Sequence, residues 1–182
     1  MADLLKRSRG PVRIASAYVT DRSLLTGIKS RKISLLTSAS LMDIASGATS
    51  IETLRTLIES GVQCRCLSGD DRLHAKVYIF GSESAVVSSA NLTNSAFNSN
   101  IEVGVRIEGD SVTRLVDWFD RLWSVARPLN TSELAEWKKA AKSLRREYAI
   151  LRKRAATRPS TPSGGTSETK SPDDVTNLLN NA

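Results

Sequence analysis

The stretch that decides the fold is L73-HAKVYIFGSESAVVSSANLTNSAFNSNIEVG-V105. It holds strand-like runs at His74 to Phe80 and Ala85 to Ser89, and a further run at Ile101 to Ile107 extends just past it. All are β-branched or alternating, and Gly, Ser and Asn clusters separate them. Upstream, Val12 to Tyr18, Ile33 to Thr37 and Val62 to Leu67 read as further short strands, with a polar or helical stretch at Asp21 to Ser30. Thr49 stands three before Glu52 at a capping-box spacing, and Ile51, Leu54, Leu57 and Ile58 recur at helical intervals until Gly61 closes the segment. Downstream, Asp110 to Val125 places Leu115, Val116, Phe119, Leu122 and Trp123 on one helical face suited to covering a sheet. Strands and helices therefore alternate, and the fold class is α/β.

Beyond Pro128 the pattern changes. Asn130 can cap a helix with Glu133 at its third position. Leu134, Trp137, Ala141, Leu144, Tyr148 and Leu151 then recur at spacings of three and four, a heptad seam of about two and a half repeats. That length is compatible with packing back on the domain and with pairing to a second chain. The segment from Ala155 onward is rich in Ser, Thr, Pro and Gly and too poor in apolar residues to offset its ordering entropy, so disorder is expected there. The chain thus divides into a domain at 1–128, a basic helix at 129–154 and a tail at 155–182.

The formal charge is +7, and its excess lies late. Residues 131–154 carry eight Lys or Arg against three Glu, whereas residues 1–130 carry sixteen against thirteen acids. A basic stripe suits nucleic acid through counterion release, and an anionic membrane surface for the same Coulombic reason; a solvated face that confers solubility is the plain alternative. No apolar run is long enough to span a bilayer, and charges interrupt the first ten residues where a signal peptide needs apolar ones, so a cytoplasmic location is expected. Cys64 and Cys66, with one histidine elsewhere, fall short of a structural zinc set and read as reduced core residues.

The chemistry sits in the opening stretch. His74 and Lys76 are two apart and share one face of a strand. Two cationic groups side by side are best tolerated where an anion such as phosphate lies against them. Ser88, Ser89 and Asn91 supply hydroxyl and amide donors for phosphate oxygens. Glu102 can hold the far ring nitrogen of a histidine and free the other to attack.

With these residues in place, the sequence resembles the phospholipase D superfamily. That family's signature is His, any residue, Lys, four residues, Asp, six residues, Gly-Ser, any residue, Asn; His74, Lys76, Ser89 and Asn91 fall at its offsets. Gly81 stands at the Asp position and Ser88 at the first Gly position. The family's Asp is not the attacking group, so Gly81 bears on local structure, whereas Ser88 adds a side chain where the backbone approaches the substrate. Glu102 matches the acid that the small-nuclease branch places after the motif.

The resemblance, running from about Arg13 to Trp123, implies a mixed sheet flanked by helices and a double displacement through phosphohistidine. That reaction uses two histidines, and this chain has one, so a homodimer sharing one pocket is implied. Lysines and a histidinium take the place of a metal, and no cofactor is expected. Nucleic acid is the preferred substrate, with endonuclease activity on DNA or RNA. A phosphatidyl lipid is the alternative, with Trp137 and Tyr148 available to a membrane, and a binding module without turnover is a third.

Overall fold

The computed structural model describes residues 4, 10–25, 32–67 and 72–156. The expected tail lies outside these residues except for Ala155 and Ala156, which continue a helix. The second half of Asp21 to Ser30 also lies outside them; its first half contains a short 3-10 turn at Ser23–Leu25.

The centre of the molecule is β1 (Val12–Ser16). On one side it pairs in parallel with β2 (Ile33–Ser38), which pairs in parallel with β3 (Gln63–Leu67). On the other side β4 (Lys76–Phe80), β5 (Ser84–Ser88) and β6 (Gly104–Glu108) form an antiparallel meander. A two-residue β7 (Arg127–Pro128) closes the far edge against β3, giving the order β6-β5-β4-β1-β2-β3-β7. Helices α1 (Leu41–Ser46), α2 (Ile51–Glu59), α3 (Asn94–Asn98), α4 (Asp110–Val125) and α5 (Thr131–Ala156) complete the elements of the described residues.

Period-two alternation distributes the core over both faces. Ile14, Leu35, Cys64, Tyr78 and Phe80 point to one face, where they cluster with Ile44 of α1, Leu54 and Leu57 of α2, and Leu134 and Ala141 of α5. Ala15, Leu36, Val77, Ile79 and Ala85 point to the other, under Val112 and Phe119 of α4. The result is a helix–sheet–helix layering. Both cysteines are buried and unpaired, and burial pushes the Cys64 thiol up to about 12 and raises that of Cys66, as suits core residues.

Several element ends move from their sequence positions. β4 begins at Lys76, leaving His74 just outside the ladder. β6 begins at Gly104 because the Ser89 hydroxyl accepts the Val103 N–H at 3.0 Å, supplanting the carbonyl that would extend the ladder. The N-cap of α2 is Ser50, whose Oγ accepts the Thr53 N–H, and the carboxylate of Glu52 turns outward to Lys138 instead of closing a capping box. Thr49 is fully buried, and among the described residues its hydroxyl has no hydrogen-bond partner. Helix α1 was not expected at all. It is too short to show periodicity, but it carries a complete capping box between Ser40 and Asp43 and ends at Gly47 with φ 82°.

The register fixes where a site can form. Ser16 pairs with Thr37 and with Lys76, Val77 with Val87, and Ser88 with Gly104. The carboxyl ends of β1, β2 and β5 therefore meet the amino ends of β4 and β6 at one end of the sheet. A crevice outside the carboxyl ends of parallel strands is where α/β sheets commonly bind ligands. Among the described residues, no helix is long and apolar enough to cross a membrane.

Candidate functional site

At that end, His74 is exposed and Lys76 half-buried. Lys76 Nζ donates to the carbonyl of His74 at 2.8 Å and lies 3.2 Å from Nε2 and 3.4 Å from Nδ1 of its ring. Both ring nitrogens thus lie within reach of the ammonium, and their roles in the contact follow the ring's tautomer. Burial pulls the Lys76 ammonium below its ordinary pKa, and the nearby charge of Glu102 opposes that fall.

Glu102 is held by its neighbours. One carboxylate oxygen accepts a short hydrogen bond from Ser89 Oγ, and the other accepts from Asn100 Nδ2 at 3.0 Å. The Ser89 bond, then the Asn100 bond, hold its carboxyl below the usual range against a desolvation that acts the other way, with the charge of Lys76 adding to the depression. Ser89 is also locked by its backbone, which donates to Val103 O at 2.9 Å. The hydroxyl is thereby aimed by three contacts. Among the described residues Glu102 forms no hydrogen bond with His74; within one chain the carboxylate positions Ser89 and faces the Lys76 charge.

Asn91 sits where the chain leaves β5. Its Oδ1 accepts the Tyr18 N–H at 3.3 Å, which leaves the amide nitrogen as its donor. The turn is pinned by buried Ser16, whose Oγ accepts the Leu92 N–H at 2.8 Å and donates to Tyr18 O at 2.7 Å. Tyr78 braces it from below by donating to Ala90 O at 2.9 Å. Asn91 and Glu102 line a cleft of about 240 Å³ together with Tyr18, Thr20, Thr93 and Asn100, bounded across by Gly47 and Ala48 after α1. Its walls carry hydroxyls, amides and one carboxylate beside the small residues Gly47, Ala48 and Ala96, a lining suited to a polar ligand.

The two departures from the family signature have distinct structural places. Gly81 takes φ 65° in the turn after β4, at the opposite end of that strand from Lys76, about 16 Å along it at the strand rise. It is packed so closely that a Cβ on Gly10 would meet its Cα at 2.7 Å. Ser88 turns its hydroxyl onto the backbone, donating to Val103 O and accepting from Ala90 N–H, both at 3.0 Å. The space for it comes from Gly104 directly opposite, where a Cβ would lie 3.1 Å from Ser88 Oγ. The added side chain is thus absorbed between two strands.

Three participants were not foreseen from the sequence: Asn100 on Glu102, Ser16 beneath Asn91, and Gly104 beside Ser88. Asn100 stands two before Glu102 in an Asn-rich loop, a visible but unspecific signal. The other two act across strands and emerge only once the register is known.

A family model described as cardiolipin synthase, phospholipase D-like domain, matches residues 1–123. Among solved structures, Nuc from Salmonella typhimurium, described as a phospholipase D family member, superposes with TM-score 0.62 at 17% identity, over 71% of this chain and 88% of that one. NucT from Helicobacter pylori gives 0.56 at 17% identity, over 70% and 87%. Phosphatidylserine synthase from Haemophilus influenzae gives 0.64 at 16% identity, and the match spans 85% of this chain but 42% of that enzyme. These likenesses concern the fold. Comparison with curated proteins finds no match. A family match over about two thirds of the sequence, containing His74, Lys76, Ser89 and Asn91 at the signature offsets, places the chain in the phospholipase D superfamily.

Proposed function

We propose that the protein is a metal-independent phosphodiester hydrolase that cuts DNA or RNA as a homodimer, with His74 as nucleophile. Family membership supports chemistry of the phosphodiesterase type. The observation that carries the reading is the placement of an exposed His74, with the Lys76 ammonium against its imidazole, at the sheet end that holds Ser89, Asn91 and Glu102. In the reaction, a ring nitrogen of His74 attacks phosphorus and the bond to the leaving oxygen breaks, giving a phosphohistidine. The leaving oxygen takes a proton from a second imidazolium. That imidazole then takes a proton from water, whose oxygen displaces the histidine by breaking the P–N bond. Lys76, Ser89 and Asn91 stabilise the phosphoryl oxygens.

The second imidazole is the His74 of another copy, since the chain has one histidine. An apolar row supports such pairing: Ile101, Val103 and Val105, at alternate positions around the start of edge strand β6, are 104%, 74% and 61% exposed. These residues flank Glu102, so a copy docked on them would lie beside the site.

Purified protein is expected to cut plasmid or oligonucleotide in EDTA, and His74→Ala to abolish the cutting. Cleavage that survives this substitution, or that requires added magnesium, sinks the mechanism. The description of the matched family model favours a phosphatidyl substrate as a second reading. Faster release of a headgroup from phosphatidylcholine than cleavage of nucleic acid would select it. Salt-sensitive DNA binding without cleavage would select a binding module instead.

A further inference from the structure

Helix α5 is anchored at one end only. Leu134 and Ala141 are fully buried against the domain, whereas every residue from Arg145 to Ala155 is exposed, including Tyr148, Ile150 and Leu151. At about 100° per residue, Lys138, Lys139, Lys142, Arg145, Arg146, Arg152 and Lys153 fall within one arc of about 140°, and no carboxylate falls within it. Glu136 and Glu147 lie on the opposite flank. The arc is centred about 120° from the apolar seam, so the charged face does not back onto an insertable apolar one.

Two features separate this arc from an ordinary solvated face. Lys139, Lys142, Arg146 and Lys153 have no ion-pair or hydrogen-bond partner among the described residues. The one ion pair on the arc among the described residues, Lys138 with Glu52, ties it to the first turn of α2, and the charge of Arg145 also acts on Glu52. The loop immediately before α2 contributes Gly47 and Ala48 to the cleft. The stripe therefore starts beside the site and leads away from it for about 22 Å at the helical rise.

We propose that this arc is a docking surface for the phosphate backbone of a nucleic-acid duplex, separate from the phosphate pocket and holding the strand that the pocket cuts. Its length matches about six base pairs at 3.4 Å each, and its unpaired cations complement a regular row of phosphates. An anionic membrane fits less well, because the anchored half of the seam is already buried in the domain and cannot sink into lipid beneath the charges. The inference rests on the nuclease reading for its substrate but not for its surface.

The test uses the full chain with Lys139, Lys142, Arg146 and Lys153 all changed to Gln, and a companion with the three lysines changed to Arg. Binding of a fluorescent 20-base-pair duplex is followed by anisotropy across a salt series, on the His74→Ala background so that the probe survives. Hydrolysis of bis(p-nitrophenyl) phosphate is followed with His74 present. The Gln variant is expected to bind at least about tenfold more weakly at 100 mM salt, with the slope of log K on log salt reduced by about 3 to 4, at roughly 0.9 for each phosphate that the protein no longer neutralises. The Arg companion keeps the affinity, and hydrolysis of the small diester stays at the parent rate in both. An unchanged slope overturns the proposal, as does binding to phosphatidylserine vesicles in preference to duplex. A duplex slope that responds as expected, in a protein that cuts neither duplex nor small diester, keeps the docking surface and overturns the hydrolase instead.

Discussion

The Lys76 ammonium lies against an imidazole and a backbone carbonyl, within the field of a carboxylate, in a setting that burial makes unfavourable for its charge. Since its folded pKa is lowered, the unfolded chain binds its proton more readily, and the charge costs stability at neutral pH. Lys76→Met is expected to raise the melting temperature slightly while lowering the cleavage rate by about 10² to 10³, the range for removing one donor to developing charge. Glu102 behaves in the opposite sense. Its folded pKa is depressed, so its contribution is complete above the ordinary value of 4.5 and is lost as pH falls through the lower folded value. The melting-temperature gap between wild type and Glu102→Gln is expected to be widest above about pH 5 and to close in stronger acid; a gap that stays constant counts against the Ser89–Glu102–Asn100 arrangement. Gly104→Ala is expected to cost about 1 to 3 kcal/mol through overpacking, and urea melts should show partial recovery when Ser88→Gly is added. Recovery is partial because Val87 O would still lie 3.3 Å from the new methyl. In the sequence the proposed set His74, Lys76, Ser89, Asn91 and Glu102 could be picked out because its spacings are local, falling between positions 74 and 102. What Glu102 bonds to could not be, because carboxylate partners depend on loop geometry that no spacing encodes.

Helix α5 shows at the scale of an element what periodicity conveys and what it omits. The heptad seam was evident, but whether it packs inward or outward is settled residue by residue: Leu134 and Ala141 are buried, while Leu151 is 60% exposed. Leu134→Ala is accordingly expected to cost about 2 to 5 kcal/mol in chemical denaturation, and Leu151→Ala to stay within about 0.5 kcal/mol. Equal costs would mean that the far half is also packed. α4 was legible end to end because its sixteen residues keep a single apolar face. The cap of α5 was legible as well, with Asn130 Oδ1 accepting the Glu133 N–H at 2.8 Å. The edges of the strands were not. A ladder ends where a side chain takes over a backbone partner, as Ser89 does at Val103, and period-two alternation continues past that point. Nor was β7 visible, since two residues ending in proline carry no alternation.

At the scale of the whole molecule, the parallel half of the sheet provides a floor, and the antiparallel meander carries His74 through Glu102 on its rim. The exposed row Ile101, Val103 and Val105 makes a definite expectation. Val103→Asp should convert a dimer to a monomer by light scattering and should abolish hydrolysis of even a small diester; a fully active monomer would contradict the shared pocket. A side chain at Gly104 would crowd Ser88 as well as disturb pairing, so Val103 is the better probe. The single histidine also has a genetic consequence. If each assembly needs two intact copies of His74, a chain bearing His74→Ala and made in equal amount would leave only about a quarter of random pairs competent. The defective allele would thus act dominantly, silencing its normal counterpart through association.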